Sequence, residues 1–144
     1  MGHNQIWLMI LVTTLVVIAI AVGVEQFQTL TVDSNRQAVM ADLVNYGSKA
    51  QLYFRTSRTL GGGSQDFKGF KLSPFENTNS NGEFHVTPNV PSGPAAVTSG
   101  GEIFISATTI YIQASGRKTG TDNTNPVKVF VTVDRNTITT TILN

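Results

Sequence analysis

The side chains best suited to move a proton near neutral pH are two histidines, His3 and His85. A general base needs a partner that orients it and a substrate atom within reach. His3 stands at the start of an uncharged run, and His85 follows Phe84 in a β-prone stretch, where a lone histidine is ordinarily a packed or half-exposed residue. Cysteine is absent, which removes thiol nucleophiles, thiolate metal sites and disulfides together. No G-x-S-x-G, Walker loop or histidine pair occurs, and Gly61-Gly62-Gly63 has no following Lys-Ser/Thr that would make it a phosphate cradle. The sequence predicts no enzyme, no catalytic residue and no cofactor.

Two oxygen-rich stretches invite comparison with calcium loops. Asn77-Thr78-Asn79-Ser80-Asn81-Gly82 alternates oxygen side chains and ends in glycine, but it lacks an initial Asp and has Pro88 where a bidentate Glu belongs. Neutral amides do not replace that charge, so the expected structure is a loop closing on an Asn-Gly turn. Asp122-Asn123-Thr124-Asn125-Pro126 reads as a loop before a strand. No metal is expected at either.

The positions of the charges say more than their number. The chain has 144 residues and a net charge of +1, yet every Lys, Arg, Asp and Glu lies at or after Glu25. No basic stripe exists to follow a phosphate backbone, so nucleic acid is not an expected partner. Ile6 to Val24 carries no charge, and about 19 helical residues at 1.5 Å each nearly match the ~30 Å of bilayer hydrocarbon. Residues 3–24 form the predicted membrane or core segment, with Ile6, Trp7, Leu8, Ile10, Leu11, Leu15, Val16, Val17, Ile18, Ile20, Val22 and Val24 as its large apolar side chains. Three readings fit such a segment. It is a cleaved signal, with Ala19-Ile20-Ala21 as the site but no basic residue before it; a plain single-pass anchor; or the lower half of one long helix.

The residues beyond Glu25 favour the long helix. The first proline is Pro74, so nothing forces a stop before it. Val39, Leu43, Tyr46, Ala50 and Tyr53 recur at spacings of four and three, one stripe of an amphipathic helix, leaving Arg36, Asp42, Lys49 and Arg55 for water. Gly61, Gly62 and Gly63 are expected to cap it, so residues 1–60 are read as the helical part and 61–144 as a glycine-rich loop and β domain. Strands are predicted over residues 83–86, 102–107, 109–114, 127–133 and 137–143. Val127, Val129, Val131 and Val133 share one face, and Asp134-Arg135-Asn136 supplies a hairpin connection. The predicted class is α+β, a long helix whose second half packs on a small antiparallel meander.

An uncharged helix beginning near the N-terminus, a Met-Gly opening, a continuous amphipathic half, a glycine-rich αβ loop and a terminal meander together resemble type IV pilins and pseudopilins. The run from Gln5 through Asn35-Arg36 and Tyr53 to the three glycines and Phe67-Lys68-Gly69-Phe70 is similar to pilin-like proteins of the Bacteroidota and Ignavibacteria lineage. The resemblance implies a structural subunit made in the inner membrane, passed to an assembly machinery and built with identical subunits into a helical homopolymer on the cell surface. It also implies processing near Gly2 and His3. Typical members carry a glutamate at the fifth mature position; here that position is Trp7 if cleavage follows Gly2, or Gln5 if Met1 is the mature end. The charge pairing of the family is therefore missing. The alternatives are a membrane-anchored extracytoplasmic binding module and a secreted β domain freed at Ala21.

Overall fold

The computed structural model describes residues 2–93 and 96–144; Met1, the alternative mature end, lies outside them. A single helix, α1 (His3–Arg55), opens the fold. Its 53 residues span about 80 Å at 1.5 Å per residue. Thr13 and Thr14, which would otherwise carry free hydroxyls through the apolar part, turn them back onto the carbonyls of Met9 and Ile10. Gly23 leaves the helix unbroken.

Among the described residues four strands come after it: β1 (Gly82–Thr87), β2 (Thr109–Thr119), β3 (Pro126–Asp134) and β4 (Ile138–Ile142). They form one antiparallel sheet in chain order, a meander. The register sets Val129, Val131 and Val133 of β3 beside Ala114, Ile112 and Ile110 of β2. Period-two alternation turns this set toward α1, where Val39, Leu43, Tyr46, Ala50 and Phe54 meet it. Tyr46 stands edge-on to Phe84 at 5.0 Å between ring centres, and Phe54 packs on Phe67 at 4.7 Å. Each large side chain so buried contributes about 1.5–3 kcal/mol. The layout is α+β: one long apolar N-terminal helix on a four-stranded antiparallel sheet.

Two expectations are corrected. The stretch predicted as a strand over 102–107 is a loop: Gly100 and Gly101, at φ of 104° and 101°, leave the extended region just before it. Glu102 makes an isolated bridge to Lys71, and Ile103 and Ala107 bond to the loop at Phe67–Phe70 instead of the sheet. The helix also ends earlier than residue 60. Thr56 is its C-cap, and a 3-10 turn, Arg58–Leu60, intervenes before Gly61, which caps that turn in the left-handed conformation at φ 82°. Gly62 and Gly63 lie against Thr56 and Asp66, where a Cβ has no room.

Candidate functional site: the projecting helix and its junction with the sheet

Every residue from Gly2 to Leu30 is exposed, and burial begins at Thr31. The lower half of α1 therefore projects from the folded domain. Ile6, Trp7, Leu8, Ile10, Leu11, Leu15, Val16, Val17, Ile18, Ile20, Val22 and Val24 each leave between 51% and 66% of their surface uncovered. They cover all sides of the helix, a distribution that suits hydrocarbon or a close-packed bundle. An 18-residue window here has a mean hydropathy of 2.7, and none of it is buried, so the helix is long and apolar enough to cross a membrane. Keeping about a dozen such side chains in water costs tens of kcal/mol.

Two polar groups at the N-terminal end are paired locally. Trp7 Nε1 donates to His3 Nε2 at 2.9 Å, and Gly2, extended at φ −74°, supplies the carbonyl that receives the Gln5 N–H. Farther along, the predicted stripe divides. Val39, Leu43, Tyr46 and Ala50 are buried, whereas Tyr53 is half-buried and its hydroxyl donates to the Lys68 carbonyl at 2.7 Å. The core position at that level belongs to Phe54, one residue on, which the predicted stripe omits. Its signal is present in the spacing, since Phe54 continues the series at Ala50 plus four.

The expected water face holds for Lys49 and Arg55, which are exposed, whereas Arg36 and Asp42 are half-buried. Asp42 accepts from the side-chain amides of Asn79 and Asn81, at 2.9 and 2.8 Å. Lys49 pairs with Glu76, Arg55 donates to the Arg135 carbonyl, and Arg36 pairs with Asp33 and donates to the Asn144 main-chain oxygen. These polar residues fasten loops to the helix. Asn35 completes the set: its Nδ2 donates to the Asn81 carbonyl at 3.0 Å, and its Oδ1 accepts the Lys118 N–H at 3.2 Å. The domain thus grips α1 from about Val32 onward, while residues 2–30 remain exposed.

The two oxygen-rich loops spend their ligand atoms internally. Asn79 Oδ1 accepts the N–H groups of Asn81 and Gly82. Asp122 accepts from the main chain of Thr124 and Asn125 and from the Asn125 amide. Those bonds, the Asn125 side chain first, hold its carboxyl down to about 2. His85 sits half-buried in β1, its Nδ1 without a partner among the described residues, and burial pushes its pKa below the ordinary value against an opposing bond at Thr98. Among the described residues no group of three or more His, Cys, Asp and Glu is placed to hold a metal. Compared with known proteins, the chain matches no family profile, no curated protein and no solved structure.

Proposed function

We propose that the chain is a structural, non-catalytic subunit of a type IV pilus-like filament that polymerises with identical copies through Ile6–Val24. Before assembly the segment rests in the inner membrane; afterwards it is surrounded by equivalent helices in an extracellular fibre. The observation that carries this reading is the continuity of α1, which passes without a break from a part apolar on every side to a part locked onto the sheet. A domain tethered to a membrane for binding alone needs no stiff rod, and a flexible linker would serve it. A rod fixed to its domain sets where each β domain lies when the apolar ends pack side by side.

Lipid and a bundle of like helices are both apolar, so transfer between them releases little hydrophobic energy. Assembly accordingly draws on side-chain packing and on an external machinery, while return to water is opposed by tens of kcal/mol. Shearing surface material from cells, imaging it by electron microscopy and sequencing its N-terminus tests the reading. Fibres containing an intact Ile6–Val24 support it. A monomer that stays with the membrane fraction identifies an anchored module, and a chain beginning near Val22 identifies a secreted domain.

A further inference from the structure

A groove of 390 Å³ lies where α1 leaves the domain, formed between Phe27, Gln28 and Thr31 of the helix and Lys118, Thr119 and Asn123 at the tip of the β2–β3 hairpin. We infer that this groove receives a phospholipid headgroup while the subunit is in the membrane, so that the hairpin tip rests on the bilayer surface. The inference rests on the membrane-resident state proposed above and adds a partner for a different part of the chain.

Dimensions place the groove in the right layer. Ile6–Val24 fills the hydrocarbon, and the headgroup zone beyond it is roughly 5–7 Å thick on each side, about four helical residues. Glu25 to Gln28 fall inside that zone, and Thr31, about 10 Å beyond Val24, lies just past it. Phe27 is 73% exposed at this level, where amphipathic and aromatic side chains settle between lipid and water. The hairpin tip shares the groove with Phe27, so it stands at the same height.

The lining also has the right chemistry. Lys118 makes no salt bridge among the described residues, and its long stem lets the ammonium move toward a phosphate. Thr119 and Asn123 add hydroxyl and amide donors. The nearby carboxylate of Asp122 is turned into its own loop by three hydrogen bonds. Glu25 and Asp33 line an adjoining groove of 290 Å³ that shares Gln28, Val32 and Asn123 with this one and is unsuited to a phosphate. Arg117 is held by Glu83 and the Asn79 carbonyl, leaving Lys118 as the cation facing the lipid.

The chain has no cysteine, so single labels are introduced directly. Full-length protein carrying a fluorophore at Thr121→Cys, Asn136→Cys or Val16→Cys is placed in phosphatidylglycerol vesicles containing nitroxide lipids. A headgroup nitroxide is expected to quench the label at 121 several-fold more than that at 136, beside Arg135 at the far end of the domain, and Lys118→Glu, which repels the lipid phosphate from the groove, is expected to lower quenching at 121 about twofold while leaving that at 16 unchanged. Equal quenching at 121 and 136, with Val16→Cys quenched by an acyl-chain nitroxide, overturns the headgroup contact and leaves membrane residence standing. No quenching at 16 overturns both. Quenching at 121 that Lys118→Glu leaves unchanged overturns the assignment of the groove.

Discussion

The main-chain N–H of Gly63 donates to the carbonyl of Tyr53 at 2.8 Å, so a residue well beyond α1 closes its last turn. Gln65 does the same for Phe54 at 2.7 Å. Helix ends leave carbonyls without partners, and here a returning loop supplies them. The return requires close passage: a Cβ on Gly63 would strike the Asp66 carbonyl and lie 2.9 Å from the Tyr53 ring. Gly63→Ala is therefore expected to destabilise the fold by about 1–3 kcal/mol, as overpacking does. Thermal unfolding of the full chain in detergent, followed by circular dichroism, measures this; an unchanged midpoint would show that the loop is not needed where it lies.

Asp42 ties the Asn79–Asn81 loop to the helix through two amide bonds to one carboxylate oxygen. Hydrogen bonds to a charged group contribute more than neutral ones, and Asp42→Ala is expected to cost about 2 kcal/mol. Hydrogen exchange should report the loss locally, as faster exchange at Asn81 and Gly82 with little change at Val131. Uniform acceleration across the sheet would contradict a local fastening role.

Asp66 accepts the N–H groups of Ala107 and Lys68, both at 2.9 Å, and the Ser106 hydroxyl at 2.8 Å, with Arg58 at 3.9 Å. The Ala107 bond, then that of Lys68, hold its carboxyl below the usual carboxylate range. A depressed folded pKa means the unfolded chain takes up the proton first. The stabilisation is thus complete above the unfolded value of ~3.9 and is lost as pH falls through the folded value. Unfolding midpoints between about pH 5 and 2 should fall more steeply for the wild type than for Asp66→Asn. Parallel curves would remove Asp66 from the acid response.

Periodicity made much of this architecture legible. Val39, Leu43, Tyr46 and Ala50 repeat at helical spacing and are buried, and Val127 to Val133 alternate at strand spacing and lie on the helix side of β3. Local pattern failed where distant partners decide the outcome. Asp42 looks like a water-facing helix residue because Asn79 and Asn81, which bind it, lie in a loop with no periodic signature. Ile103 to Ala107 has strand-like composition, but its main chain is claimed by Phe67–Phe70. The groove at Lys118 is invisible in the sequence for the same reason, since it exists only when the hairpin tip meets Phe27 and Gln28.

The central claim is that the apolar half of α1 is sheltered among copies of itself, and a buried charge tests it most directly. Val16 lies mid-segment and touches no part of the sheet domain, being 51% exposed. A carboxylate there, Val16→Asp, would enter the packed core of the fibre without a partner. The measurement is the quantity of filament sheared from cells expressing Val16→Asp, set beside the melting curve of the same purified chain in detergent. Loss of filaments with an unchanged melt is the predicted result; normal filaments would contradict the helical core.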